Sequence, residues 1–301
     1  MWFLYKDISW ENDLKPSLQR VNWWWILISF LIGYSATVIR GLRWNLMLEP
    51  MGFKAHNWTS IHSVAFGYCM NNLVPRSGEL ARCTLLNRAE KIPVNKLIGT
   101  VILERIVDVL LLAALMLAAF ILKADALSNL FTQVDAGKGK LILYILVAGI
   151  LGLVFFMIAL KYLSHIPFIA KIRHFFIGIG EGIKTIYQLR QQGLFWIYSI
   201  GIWGAWLLMT YCSMQALQET QHMTISDTVF FMAAGSLGML VPTPGGAGAF
   251  HGMAVLGFQA LGYDGAVGKI YALISWSVKT TFDILIGAVG FFIVTSRKLK
   301  I

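Results

Sequence analysis

Long apolar runs dominate the pattern of hydrophobic and polar positions along the chain. A helix needs about 20 apolar residues to cross a bilayer, and five runs are long enough. These predicted spans cover about residues 21–39, 97–122, 141–160, 194–217 and 270–295. The first span opens on Trp23, Trp24 and Trp25, and tryptophan rings favour the headgroup level of a membrane. The pattern therefore predicts an all-α polytopic membrane protein.

Two further apolar stretches end too early to be ordinary spans. They cover about residues 58–74 and 226–241, and each ends in Leu-Val-Pro, at Pro75 and Pro242. Small and polar residues follow before helical character resumes. Backbone groups released at such a break need partners from protein or water inside a bilayer. We therefore predict two re-entrant hairpins of broken helices, with their tips buried inside the protein.

A polar and apolar mixture between the third and fourth spans predicts an interfacial helix over about residues 167–192. Its charged and basic positions are Lys171, Arg173, His174, Glu181, Lys184 and Arg190. A connector packed beneath the helical bundle is the alternative interpretation of the same pattern.

Composition excludes an ordinary soluble domain. Of the 301 residues, 57% are apolar and 13% are charged, against about 45–50% and about 25% in soluble domains. The net charge of +10 does not indicate nucleic-acid binding, because no basic cluster is interleaved with aromatic residues. The three cysteines are scattered, so neither a disulfide framework nor a metal site is predicted, and no cofactor is expected.

Basic residues predict the orientation. If the segment before the first span is outside and each hairpin returns to its own side, sixteen Lys and Arg residues fall in inside loops and six in outside segments. The inside set is Arg40, Arg43, Lys54, Arg76, Arg82, Arg88, Lys91, Lys96, Lys161, Lys171, Arg173, Lys184, Arg190, Arg297, Lys298 and Lys300. The positive-inside rule then places the C-terminus in the cytoplasm.

The sequence contains a candidate internal repeat. Residues 73–78 (LVPRSG) match residues 240–245 (LVPTPG), and residues 101–108 resemble 276–283. Each copy consists of a span, a broken hairpin and a second span that contains charges. The copies cover about residues 21–122 and 194–295 of one transmembrane domain. A further span and the interfacial helix, over about 141–192, connect them. Three membrane spans lie between the start of the first copy and the start of the second. Because this number is odd, the copies are predicted to be inverted, as in many secondary transporters. Chance similarity between Gly- and Pro-rich turns is the alternative.

Charges inside spans are costly, about 2.5–3.5 kcal/mol each at a helix centre, and so they mark candidate sites. A helix resuming after Pro75 would place Arg76, Glu79 and Arg82 on one face, beside Asn71 and Asn72. Arg76 and Arg82 can bind phosphate or carboxylate. The alternative is an Arg76–Glu79 ion pair that only stabilises the hairpin.

The remaining candidates lie downstream in each half. Glu104 and Asp108 are one turn apart, with Arg105 about 100° round the helix. The two carboxylates can form ion pairs with the hairpin arginines and leave a polar cavity, or they can form a static salt-bridge network. In the second half the candidates are Gly245, Gly246, His251, Lys279 and Asp283. Lys279 and Asp283 can form an ion pair with each other. We expect His251 to hold its helix in place by a hydrogen bond; carrying protons is the alternative role.

In order along the chain, four runs resemble the membrane domain of the lysylphosphatidylglycerol synthase family, also described as flippase-like. They are Arg40-Gly-Leu-Arg43-Trp44, the run from Asn71 to Arg82, Glu104-Arg-Ile-Val-Asp108 and the run from Pro242 to His251. The resemblance covers about residues 8–295. It implies movement of lipid between leaflets, a membrane lipid as partner, and a further span before Lys6. The soluble aminoacyl-transferase domain of that family is absent from this sequence.

Three hypotheses follow for function. The first is a flippase-like or scramblase-like transporter of the cytoplasmic membrane, which moves a polar-headgroup lipid and is not an enzyme. The second is a membrane-embedded transferase with Glu79, Glu104 or Asp108 as base, although the sequence has no Asp-x-Asp motif and no nucleotide-binding loop. The third is a scaffold whose charges are purely structural.

Overall fold

Helices make up the fold in a computed structural model that describes residues 5–6, 8–126 and 189–296. Within these ranges there is no β-strand, and eight helices have 12 or more residues. They are α1 (Trp23–Leu48), α2 (Asn57–Leu73), α3 (Gly78–Glu90), α4 (Val94–Leu122), α5 (Gln192–Met214), α6 (Ile225–Met239), α7 (Ala249–Ala260) and α8 (Gly265–Ser296).

Four of the five predicted spans are confirmed as helices long and apolar enough to cross a membrane, namely α1, α4, α5 and α8. The chain is therefore a multi-pass membrane protein. The fifth predicted span, 141–160, lies outside the described residues, as does nearly all of the predicted interfacial helix.

Helix α1 extends well past its predicted end at residue 39 and reaches Leu48. Arg40 and Arg43 lie within it and are buried, which contradicts the predicted inside loop for both. Their charges are matched by carboxylates of another helix, and this pairing lets an apolar helix continue through two arginines. Arg82 is likewise buried and Arg76 lies in a turn between helices. Without these four residues the basic tally is twelve against six, so it still favours the predicted orientation.

The predicted breaks at Pro75 and Pro242 are confirmed. A four-residue turn joins α2 to α3, and a longer turn with a short 3-10 segment (Pro244–Gly246) joins α6 to α7. The predicted helical spacing is wrong for Arg76, because α3 begins only at Gly78. Arg76 itself has φ of 58°, a left-handed conformation that ends a helix instead of starting one.

Contacts between helices set their relative directions. Ser29, early in α1, donates to the Met209 carbonyl late in α5 (2.8 Å), while Arg43, late in α1, donates to Ser199 early in α5 (3.0 Å). Helices α1 and α5 are therefore antiparallel. Further antiparallel pairs are α1 with α2, α2 with α3, α1 with α4, α2 with α8, α6 with α7 and α7 with α8.

The two described parts of the chain, 8–126 and 189–296, have the same order of longer helices. A long helix, two short helices and a second long helix form α1–α4, and the same series forms α5–α8. The packing is reciprocal as well, since α1 packs on α5, α2 packs on α8, and α6 packs on α4. The two series run over nearly the same residues as the two predicted copies.

Close packing of α2 on α3 depends on glycine at the turn. A Cβ atom on Gly78 would lie 2.6 Å from Cγ of Asn71 and closer still to the Gly67 carbonyl oxygen. We expect Gly78→Ala to destabilise the protein by about 1–3 kcal/mol through overpacking, which thermal unfolding in detergent measures. Gly99→Ala on α4 is the control, because its Cβ would meet nothing within 4 Å. Equal unfolding temperatures for the two variants would contradict this packing.

Candidate functional site

A cavity of about 810 Å³ lies between the helices and reaches both broken turns. Ten of the thirteen predicted site residues line it: Asn71, Asn72, Arg76, Glu79, Arg105, Asp108, Gly245, Gly246, Lys279 and Asp283. Arg82, Glu104 and His251 are buried and do not belong to its wall. The structure therefore brings most of the predicted residues of both halves to one space.

The cavity is elongated and amphipathic. Its wall follows α1 from Ile26 to Arg40, a rise of about 21 Å. Aromatic rings line its middle, where Phe30 stacks on Phe282 with ring centroids 3.8 Å apart, and the Lys279–Asp283 pair lies beside Phe282. A second set of charged residues, Arg40, Arg105 and Asp108, lines the wall towards Arg40. Such a lining can contact both the polar and the apolar parts of an amphipathic molecule.

A buried ion cluster closes the end of the cavity near Arg40. Arg40 and Arg43 lie one turn apart on α1, and they meet Glu104 and Asp108, one turn apart on α4. Arg40 Nε lies 2.7 Å from a Glu104 oxygen, and its Nη2 contacts Asp108. Arg82 of α3 donates to the other Glu104 oxygen at 2.9 Å. The predicted ion pair between an α4 carboxylate and a hairpin arginine is thus confirmed for Arg82.

Aromatic rings cover the same arginines. The guanidinium carbon of Arg82 lies 4.7 Å from the Trp44 ring centroid, and that of Arg40 lies 5.1 Å from Trp206. Phe195 lies 5.8 Å from Arg43. A cation over a ring face is stabilised by about 2 kcal/mol or more when desolvated. These rings help the bundle to hold three arginines away from water.

Reasoning from spans alone missed Arg40 and Arg43 as members of the site. The signal was present, because Arg40, Arg43, Trp44 and Met47 recur at the spacing of one helix face and all four are buried. The run of residues 40–44 that carries the family resemblance contains the same two arginines. The predicted span ends where the basic residues begin, so it does not include this helix face.

Arg105 and Glu79 form the cavity side of this cluster. Their closest atoms are 3.4 Å apart, and their side chains are 45% and 34% exposed. Arg105 also lies 3.4 Å from Asp108 and 3.9 Å from Glu104. Glu79 therefore pairs with Arg105 of α4, whereas the alternative interpretation of the sequence had paired it with Arg76.

The two broken turns touch each other. Arg76 Nη2 donates to the Leu240 carbonyl at 2.8 Å, which satisfies a backbone group released at the end of α6. The Gly245 carbonyl accepts from Trp276 Nε1 at 2.7 Å. Gly245 has φ of 56° and lies close to Asn72, so a side chain there would be both strained and obstructed.

A second charged group lies on α8. Lys279 Nζ is 2.6 Å from Asp283, which confirms the predicted i, i+4 pair. Asn72 of the first turn also donates to Asp283, at 3.3 Å. The first hairpin therefore contacts charged or polar groups of both halves.

His251 is fully buried and lies behind the cavity wall. Its Nδ1 accepts the Gly248 N–H at 3.3 Å at the start of α7. The Trp276 ring lies 5.2 Å away, centroid to centroid. This contact agrees with the expected role as a helix anchor.

The sequence matches the family described as "Lysylphosphatidylglycerol synthase TM region" over residues 1–287. The chain belongs to that family of membrane proteins, which associates it with membrane lipids.

Two curated relatives were found. The UPF0104 membrane protein PH1989 of Pyrococcus horikoshii is 26% identical over 318 residues, covering 97% of this chain and 92% of that protein. The UPF0104 membrane protein MJ1595 of Methanocaldococcus jannaschii is 28% identical over 87 residues, covering 28% of this chain and 26% of that protein. No solved structure matches the chain.

The buried cluster predicts a large effect from a small change. Glu104→Gln removes one of two carboxylates shared by three buried arginines, and breaking such a network costs about 3–5 kcal/mol. We expect a correspondingly lower unfolding temperature in detergent. Glu79→Gln, at a partly exposed position, should change stability by less than about 1 kcal/mol. Wild-type stability in the Glu104→Gln protein would contradict the cluster.

Proposed function

We propose that this protein moves a polar-headgroup lipid between the leaflets of the cytoplasmic membrane. The observation that carries the proposal is a cavity that reaches both broken turns and combines charged and aromatic walls. A lipid headgroup crossing a bilayer must exchange its water for other polar partners, because unsatisfied polar groups in hydrocarbon cost several kcal/mol each. A cavity with such partners at successive depths lowers that barrier.

An inverted repeat is part of the proposal. The helix directions alternate through α1–α4, and the same alternation runs the opposite way through α5–α8, beginning with the antiparallel pair α1 and α5. The end of α4 and the start of α5 accordingly lie at opposite ends of the bundle. Two hairpins that enter from opposite faces would then form half-paths open to opposite leaflets, as in secondary transporters.

Exposed tryptophans support a position in the membrane. Trp23 and Trp24 begin α1, and Trp58 begins α2, with exposed fractions of 54%, 74% and 53%. The start of α2 lies beside Asn45, so the two aromatic levels are separated by about 32 Å along α1. The hydrocarbon core of a bilayer is about 30 Å thick.

The charged groups then lie at two depths. Arg40 is about 8 Å from the Trp58 level along α1, and Asn72, which binds Asp283, is about 21 Å from it along α2. A headgroup would pass from one group to the other beside Arg76 and the Gly245–Gly246 turn. We assign its binding to Arg76, Arg105, Lys279 and backbone donors of that turn. Glu79, Asp108 and Asp283 would set the charge selectivity.

The proposal predicts that filling the cavity stops transport. Thr37 lines the cavity between Phe30 and Arg40 and is 8% exposed, so a tryptophan there would occupy the path. In liposomes with a fluorescent lipid, we expect Thr37→Trp to reduce translocation at least about tenfold. Leu31→Trp is the control on the same helix, because Leu31 is 56% exposed on the outer face; it should keep the wild-type rate within about twofold.

Folding and chemistry are checked in the same experiment. Unfolding temperatures identify a variant that fails to fold, and Ser236→Trp on α6 tests the opposite wall of the cavity. Recovered lipid should have an unchanged mass, whereas the alternative membrane-embedded transferase would add a group. Wild-type transport by both cavity variants would contradict the path, and no transport of any lipid by the wild type would contradict the function.

A further inference from the structure

The buried cluster holds more positive than negative charge. Arg40, Arg43 and Arg82 carry three positive charges, and Glu104 and Asp108 carry two negative ones. All five are at most 7% exposed. Among the residues that the structure describes, Glu79 is the next carboxylate at this group, and Arg105 already pairs with it. The excess of one positive charge therefore persists when this outer pair is included.

The outer pair is held differently from the buried ones. Arg105 reaches its three carboxylates at 3.4–3.9 Å and its side chain is 45% exposed. The buried Arg40, Arg43 and Arg82 lie 2.7, 3.3 and 2.9 Å from Glu104. Glu104 and Asp108 are already neutralised by the buried arginines. Arg105 and Glu79 both line the cavity, and Arg105 is the arginine of the cluster with a half-exposed side chain. It is therefore free to exchange its partner without opening the buried network.

We propose that Arg105 binds the phosphate of an anionic lipid headgroup, and that Glu79 is the internal carboxylate which this phosphate displaces. The proposal rests on the proposed function, since it names the class of lipid that the transporter would accept. A phosphodiester presents two oxygens to the planar guanidinium, which binds them in a bidentate manner. While the site is empty, Glu79 would share the arginine with Asp108, each 3.4 Å from it.

Charge also argues for an anionic over a zwitterionic headgroup. The cavity wall carries Arg40, Arg76, Arg105 and Lys279 against Glu79, Asp108 and Asp283. The buried Arg43, Arg82 and Glu104 behind the wall add one further net positive charge, so one added negative charge lowers the total excess from two to one. A zwitterionic headgroup brings its own cation and leaves the imbalance unchanged, and its ammonium would be repelled by the arginines.

Binding in detergent tests the inference without any transport step. The probes are phosphatidylglycerol, phosphatidylcholine and inorganic phosphate, each titrated while the unfolding temperature is recorded. We expect the wild type to bind phosphatidylglycerol about tenfold more tightly than phosphatidylcholine, because of the charge-assisted bidentate bond. Arg105→Gln should reduce this preference to about twofold or less, and Arg105→Lys should keep part of it because it retains the charge but not the fork.

Two further variants make the test specific. Glu79→Gln should strengthen phosphatidylglycerol binding, since it removes the competing carboxylate. Arg88→Gln is the matched control, because Arg88 lies exposed near the end of α3 and outside the cavity wall; it should bind as the wild type does. Unfolding temperatures without lipid show whether Arg105→Gln is folded, and Arg105→Lys keeps the inference testable if it is not.

The outcomes separate this inference from the proposed function. Equal binding of the two lipids, or full preference in Arg105→Gln, would overturn the anionic site, and inorganic phosphate binding as tightly as phosphatidylglycerol would overturn its assignment to a lipid. Selective binding through Arg105 without translocation in liposomes would support the site and contradict the transport function. Translocation of both lipids at one rate, unaffected by Arg105→Gln, would support transport and contradict the site.

Discussion

The fold depends on one electrostatic constraint, which is that arginines inside an apolar bundle must be matched by carboxylates from other helices. Arg40 and Arg43 contact both Glu104 and Asp108, and Arg82 contacts Glu104. These ion pairs fix α1, α3 and α4 against one another. Leaving any of these charges unpaired away from water would cost several kcal/mol. The position of the first hairpin, and thus of its turn, follows from this pairing.

Backbone groups in the turns of the two hairpins also need partners from other parts of the bundle. A helix that ends inside a bundle leaves carbonyls and N–H groups without partners, and Arg76 and Trp276 supply donors to Leu240 and Gly245. Because these donors come from outside the α6–α7 hairpin, the turn is polar without being sealed. The result is a cavity between the halves in which polar partners are available at more than one depth, and this is the property that the proposed lipid path uses.

Sequence patterns predicted the spans well and the charged cluster only in part. Apolar length identifies α1, α4, α5 and α8, and proline identifies the two breaks, since both signals are local. The pairing of Arg40 with Asp108 joins residues 68 positions apart, which no local periodicity reports. Local hydropathy therefore ends the predicted span before the two arginines. The left-handed conformation of Arg76 was also missed, because glycine or asparagine usually marks such a position.

The central claim is that lipid occupies the cavity between the halves. Photo-crosslinking tests it most directly: a lipid with a photoreactive group near its headgroup is irradiated with the protein in a membrane, and the labelled residues are mapped by mass spectrometry. The account predicts adducts on inward-facing residues of both halves, such as Phe30, Met209 and Phe282. Labelling confined to the exposed outer residues Leu31, Phe120 and Phe292 would contradict it.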